Sequence, residues 1–380
     1  MGKAQLMTII ASFEIEGSDN APIIIGDILL SVKRESGFES DVSTPLLHEI
    51  RKATPSNSPS IIAGSTQKVI LIGDHICVAW TGSFLHARAF LRELRALWSI
   101  NRKVTYDSLA KYFKQQSIPN SNDVGVIVYH GSTSGFGHFS NLPAFPVASL
   151  NRVRIGGSGT EHFYSTLQNM NFSEVMLGAT NIYQSAWMKM AAYMGSAAGE
   201  QLWLGHGIGD GFGGGFELVI FNGEKFIKQG PLLWLFCSFI NRGNDKCEMH
   251  VLHPFIYQYV DGANTCFVRD EGASAPTRIY WVSPPDTSLD ALPSIPEMLS
   301  AHTIICGMRG EDGAAVRYGA FVDIKKLEAT PDVQVRLKPG QDTQIKIADD
   351  LLKKLCSSAP SGRKVTAVNV WGSVLPIEIA

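Results

Sequence analysis

The segment from Pro22 to Ser31 constrains this chain more than any other. Its central run, Ile23-Ile24-Ile25-Gly26-Asp27-Ile28-Leu29-Leu30, is apolar almost without interruption. A short run of this kind behind a polar turn reads as a strand buried on both faces. The interruption is Asp27. A carboxylate in such a place is costly unless a cation accompanies it. The fold therefore has to deliver a positive side chain to this strand. A second apolar strand, Thr8 to Phe13, precedes it across the polar turn Glu16-Gly17-Ser18-Asp19-Asn20.

Downstream, residues Val32 to Ser65 are polar and carry Pro55 and Pro59, which reads as a long loop or an inserted lid. Lys68 opens the next apolar stretch, Val69-Ile70-Leu71-Ile72. A Gly73-Asp74 turn then leads into Ile76 to Gly82, a strand hairpin ending on glycine. Phe84, Ala87, Phe90, Leu91, Leu94 and Leu97 recur at helical spacing, and Thr105 is placed to cap a second helix over Tyr106 to Gln116. Strands are expected over Asp123 to His130, Gly137 to Ser140 and Arg152 onward. A short helix follows near Glu161 to Met170, and two packed helices broken near Gly195 cover Asn181 to Leu204. A hairpin from Phe216 to Ile227 turns at Asn222-Gly223. Two helix pairs thus alternate with blocks of antiparallel strands, a pattern that suits two sheets between helical layers.

After about Leu235 the texture shifts to strand-like segments between Pro- and Gly-rich loops, with a late helix expected at Ile347 to Leu355. With 380 residues the chain has room for two domains. The expected division is 1–235 and 236–380, the second part mainly β. The formal net charge of −2 comes without any long basic run, so the electrostatic footprint of a nucleic-acid binder is missing. The most apolar run, Pro231 to Ile240, is too short to span a bilayer, and the first residues do not form a signal peptide. Six scattered cysteines with no CxxC pair point to reduced thiols, hence a cytoplasmic protein without a membrane or nucleic-acid partner.

Several residues fall in an order that carries a resemblance. Thr8 heads the first strand, Asp27 lies in the second, Lys68 starts the next, and Gly82 ends the strand after that. Gly157-Ser158-Gly159 and then Asp210-Gly211-Phe212-Gly213-Gly214 follow. Over about residues 7 to 230 this resembles the proteasome β-subunit branch of the N-terminal-nucleophile (Ntn) hydrolases. The resemblance implies an α+β fold, a four-layer αββα Ntn-hydrolase sandwich, here with an appended mainly β C-terminal domain. It implies catalysis by Thr8, Asp27, Lys68, Gly82, Ser158 and Asp210, with Trp80 and Phe84 where the family lines its substrate pocket. No metal and no cofactor are expected. The substrate would be a peptide or protein, and self-association into a homo-oligomer follows by analogy.

The chemistry of that set is coherent. A threonine hydroxyl is a weak nucleophile until a base takes its proton, and the α-amine of an N-terminal threonine can do so. That amine titrates near ~7.7–8.0 when free. A nearby lysine lowers it further by like-charge repulsion. Two readings stay open. In one, Thr8 acts after removal of residues 1–7. In the other, the protein is a catalytically inactive relative, an assembly or partner-binding module, in keeping with Met7 before Thr8, Gly213 in place of the family's serine, and bulky Trp80. Cys237, Cys247, His250 and His253 fit no common zinc spacing and read as structural. Gly207 to Gly214 follows a helix and lacks a lysine, so it is not a nucleotide loop.

Overall fold

A computed structural model describes residues 8–14, 22–33, 43–46, 60–100, 105–115, 123–133, 135–147, 151–169, 182–204, 211–243, 246–271, 277–287, 298–301, 303–309, 316–322, 333–336, 344–347 and 364–368. The first strands form as the apolar runs require. β1 (Ile10–Glu14) and β2 (Ile23–Asp27) pair antiparallel, and every residue of β2 is buried. The long run from Pro22 does not stay one strand. It leaves the sheet after Asp27, where Ile28 N–H turns to Gly215 O and Ile28 C=O accepts from Thr66 N–H. It continues as β3 (Leu29–Lys33), which pairs with β4 (Ser60–Ser65) in a two-stranded ribbon. The stretch read as loop or lid thus ends in a strand, and its residues 34–42 and 47–59 lie outside the described ones.

β5 (Val69–Ile72) and β6 (Ile76–Gly82) make the expected hairpin, extended by β7 (Val124–Ser132) and β8 (Gly135–Ser140) into a four-stranded sheet. Successive residues of β6 point to opposite faces. Ile76, Val78 and Trp80 meet Leu91, Leu94 and Phe113 of α1 (Phe84–Ile100) and α2 (Tyr106–Gln115). Cys77 and Ala79 face the other way, into a second core with Ile10, Ile24 and Val219. Thr105 caps α2 as its spacing indicates, accepting from Ser108 N–H at 3.3 Å while Ser108 Oγ accepts from Thr105 N–H at 3.0 Å.

A six-stranded sheet runs in the order β12-β11-β2-β1-β10-β9, with β9 (Ala144–Val147), β10 (Asn151–Gly156), β11 (Phe216–Phe221) and β12 (Phe226–Lys228). β9 was not legible because Pro146 argues against a strand. It is tolerated here because β9 is an edge. α3 (Thr160–Asn169) and α4 (Ile182–Leu204) follow β10. Gly195 does not break α4, which is one helix of 23 residues without an amphipathic stripe, and its residues 189–199 are buried. A helix whose polar residues gather on no one face belongs in an interior.

What surrounds α4 overturns the expected architecture. It packs under the six-stranded sheet on one side and against β18 (Thr303–Arg309) and β19 (Val316–Val322) on another. The molecule is mostly β, with twenty-two strands and four helices among the described residues, divided over five mainly antiparallel sheets. A four-layer αββα Ntn sandwich does not describe it. The physical reason is that α4 is an interior element and not an outer layer.

The largest sheet, of seven strands, is built around β13 (Leu232–Gly243), β14 (Lys246–Asp261), β15 (Asn264–Asp270), β16 (Arg278–Val282), β18 and β19, with β22 (Lys364–Val368) paired to β14. β13, the most apolar run of the chain, lies between β14 and parallel β18. It passes through the division expected at 235/236. One core cluster joins Ile25 and Phe216 of the six-stranded sheet to Trp234, Phe236 and Phe267 of the seven-stranded one. β17 (Met298–Ala301), β20 (Val333–Arg336) and β21 (Gln344–Ile347) form a small separate sheet. The helix expected at Ile347 to Leu355 lies outside the described residues after Ile347, which closes β21. No helix among the described residues is long and apolar enough to cross a membrane.

Candidate active site

Asp27 closes β2 with no exposure, and the local sequence brings its partners to it. Gly26 lets the two sheets approach: a Cβ there would lie 2.8 Å from Val69 Cγ2 and 2.9 Å from Lys68 Cβ. That closeness sets Lys68, buried at the head of β5, across from the aspartate. From just before β1, Thr8 Oγ1 donates to Asp27 Oδ1, and Ile9 N–H donates to the same oxygen at 3.1 Å. From the loop before β11, Gly213 N–H donates to Asp27 Oδ2 at 2.7 Å. In return Asp27 N–H donates to Ile9 O at 3.0 Å, and Gly159 N–H to Thr8 O at 3.2 Å. Thr8 is itself 1% exposed.

Burial governs the electrostatics. It pushes the Asp27 carboxyl up to about 7, opposed by the charge of Lys68 and the bonds from Thr8, Gly213 and Ile9. It pulls the Lys68 ammonium down to about 8, opposed by Asp27 and then Glu217. Among the described residues nothing accepts a hydrogen bond from Lys68 Nζ, which sits 4.0 Å from the centroid of the Trp80 ring. An ammonium in that position is held by charge and by the ring face.

The structure thus brings Thr8, Asp27 and Lys68 together. Ser158 lies in the turn next to Gly159, which holds the Thr8 carbonyl. Gly82 ends β6 opposite Val124, just before Ser83 starts α1 by accepting from Ala87 N–H at 2.9 Å. Asp210 and Met7 lie outside the described residues. Trp80 is fully buried, its indole N–H donating to Gln67 O at 2.9 Å, with Phe84 edge-on at 6.3 Å. These aromatics are packed together as core, not spread along an open pocket. A cleft of about 660 Å3 does exist, bounded by Leu71, Asp74, Arg95, Phe226, Lys228 and Pro284, but neither Thr8 nor Asp27 lines it.

Sequence reasoning passed over a second buried polar group beside the first. Glu217, in β11 opposite Gly26, accepts from Lys68 N–H at 3.1 Å and Val69 N–H at 3.4 Å through Oε2. Its Oε1 accepts from Lys228 Nζ at 2.6 Å and Thr265 Oγ1 at 2.7 Å. Lys228 Nζ also donates to Gln67 Oε1 at 2.6 Å, and Gln67 Nε2 to the carbonyls of Ala263 and Val282. The signal was present, since Glu217 is a charge inside an apolar strand just as Asp27 is.

Cys77, Cys237 and Cys266 are buried and unbridged, and burial raises the Cys77 thiol well above its ordinary range, so it is no nucleophile. Among the described residues no cluster of three or more His, Cys, Asp or Glu is arranged to hold a metal ion. No protein-family model matches the chain, and no curated protein matches it.

Proposed function

We propose that the protein is a threonine amide hydrolase of the proteasome-like kind, acting on a peptide or protein through Thr8 once residues 1–7 have been removed. The observation that carries this reading is the bond from Thr8 Oγ1 to buried Asp27, on whose carboxylate the charge of Lys68 also acts. Cleavage between Met7 and Thr8 frees an α-amine next to the hydroxyl. The amine takes the hydroxyl proton as Oγ1 attacks the amide carbon. It then passes the proton to the leaving nitrogen as the C–N bond breaks. Water hydrolyses the ester that remains and restores Thr8. Lys68, held charged by Asp27 and Glu217, keeps the amine's pKa low enough to serve as a base near neutrality. Gly82 N–H is the donor assigned to the oxyanion, a contribution of roughly 10²–10³ in rate for one such donor.

The test pairs mass spectrometry with substitution. A mature chain starting at Thr8, with hydrolysis of peptide amides that Thr8→Ala abolishes, is the expected result. An N-terminus that stays intact in protein from its native host overturns it.

One observation favours the non-catalytic alternative: Thr8 is 1% exposed and Trp80 fully buried, which leaves little access. On that reading the protein is a partner-binding module. Loss of hydrolysis in Thr8→Ala with an unchanged assembly state rules it out. In either case the chain works in a reducing compartment, the cytosol. It self-associates in part through α1, where Leu85 and Ile100 are exposed. Light scattering that gives a strict monomer excludes the latter.

A further inference from the structure

Gly213 holds one oxygen of Asp27 yet has no side chain with which to fix its own position. The fixing group comes from the last turn of α4. Gln201, 1% exposed, grips the loop on both sides of Gly213. Its Oε1 accepts from Gly214 N–H at 2.9 Å, and its Nε2 donates to Phe212 O at 3.3 Å. Gly213 is thereby pressed between the Gln201 amide and the Asp27 carboxylate, with its N–H 2.7 Å from Oδ2. The fit leaves no room: φ is +108°, and a Cβ on Gly213 would lie 1.7 Å from Gln201 Nε2. A glycine at 213 and a long amide at 201 therefore require one another. This accounts physically for the glycine at a place where a serine was expected. Phe212 anchors the loop's other side, buried against the His162 ring at 5.1 Å.

We propose that Gln201 is a positioning residue: by clamping Phe212 and Gly214 it keeps Gly213 N–H on Asp27 Oδ2, which leaves Oδ1 aimed at the Thr8 hydroxyl. Four groups act on this carboxylate. Thr8 Oγ1 and the N–H groups of Ile9 and Gly213 donate to it, and the charge of Lys68 acts on it from the head of β5. Of these, the Gly213 bond alone depends on a side-chain clamp. Without the clamp Oδ2 loses a donor that favours the charged form, and the carboxyl protonates more readily. A protonated Asp27 neither holds the Thr8 proton nor keeps Lys68 charged.

The inference deepens the reading of Thr8 as nucleophile, and rests on it only for the rate. The experiment therefore reads Asp27 directly. Gln201→Met keeps the length of the side chain and removes both bonds. In protein carrying 13C at aspartate side-chain carboxyls, the Asp27 midpoint is expected to rise by about one pH unit in Gln201→Met. The kcat for peptide hydrolysis at pH 7 is expected to fall about fivefold, the loss of ionised Asp27 when its midpoint moves from about 7 up by one unit, with KM held within about twofold. A merely structural role would lower the melting temperature and leave the midpoint in place, and an unmoved midpoint in folded Gln201→Met overturns the proposal. Should Gln201→Met not fold, the unaltered protein supplies the decision. The Gly213 and Gly214 amide resonances must shift together as Asp27 titrates, and amides that ignore that titration overturn the proposal equally. A shifted midpoint in a protein that hydrolyses nothing upholds the clamp and removes the threonine-hydrolase reading.

Discussion

Asp27 and Glu217 stand almost side by side, one at the end of β2 and the other in β11 across from Gly26, and each is a buried carboxylate with a lysine near it. Their surroundings differ in one respect. Glu217 accepts four hydrogen bonds, and its partner Lys228 donates to three different acceptors. That group is closed: each donor has somewhere to go. Asp27 is also well supplied with donors, but Lys68 makes no hydrogen bond through its ammonium among the described residues and rests on the Trp80 ring instead. A closed network stabilises and has nothing left to offer a substrate. An ammonium held over a ring face, its charge acting on a carboxylate that also binds a hydroxyl, is arranged in the manner of a reactive centre. Lys68 belongs to both regions, its backbone bonded to Glu217 and its charge directed to Asp27.

The sharpest way to break this contrast is to open the closed side. Glu217→Ala leaves Lys228 buried with only neutral oxygens and strips the acceptor from two backbone N–H groups. Removing one member of a buried pair costs about 3–5 kcal/mol. Denaturant titration at neutral pH measures it. Lys228→Met introduced alongside is expected to recover much of the loss, because the uncompensated charge then disappears. If the single change costs less than about 1 kcal/mol, the two regions are not different in kind.

Asp27→Asn tests the other side through pH. With the folded carboxyl raised from 3.8 to about 7, Asp27 contributes stability that is fully present below about 3.8 and lost as pH rises through about 7. Lys68, lowered from 10.5 to about 8, contributes stability that is present above about 10.5 and lost as pH falls through about 8. The two groups together make the wild-type protein least stable between about pH 7 and 8. Asp27→Asn removes the descending limb between about pH 4 and 7. It also moves the Lys68 limb to lower pH, since the ammonium loses its nearest negative charge. Urea melts from pH 4 to pH 11 show both effects. A variant whose profile superposes on the wild type sinks the assignment of that slope to Asp27.

Much of this was legible before any coordinates. A single charge in the apolar run at Ile23 to Leu30 called for a cation, and Lys68 is the one whose charge acts on that carboxylate. The same argument applied to Phe216-Glu217-Leu218-Val219 would have found the second group. Other features carried no local signal. Gln201 is one polar residue near the end of a helix, and only the return of the loop at Gly213 gives it a task. The four-layer expectation failed for a related reason. It was drawn from the order of elements, whereas the burial of α4 depends on β18 and β19, far later in the chain. β13 shows the limit of periodicity, since an unbroken apolar run says buried but not between which neighbours.

The smallest expected effect belongs to the link between the regions. Trp80 does two things for Lys68: its ring faces the ammonium, and its indole N–H fixes the carbonyl of Gln67, the residue just before Lys68. Trp80→Phe keeps an aromatic face in the same core but a poorer one for a cation, and removes the indole donor. The stability cost is expected to be about 1 kcal/mol, from one buried bond lost plus part of a cation–π contact. The ammonium, less well held, moves further below its ordinary value, so the alkaline limb of the stability profile shifts to lower pH while the limb set by Asp27 stays in place. The Glu217 group is expected to register the change only through the Gln67–Lys68 peptide, whose carbonyl accepts from Trp80 and whose N–H donates to Glu217; its other three bonds do not involve that peptide. A shift of the acid limb as well would mean that Lys68 relays its position to Asp27, and that the two lysine–carboxylate pairs answer to each other through the single residue they share.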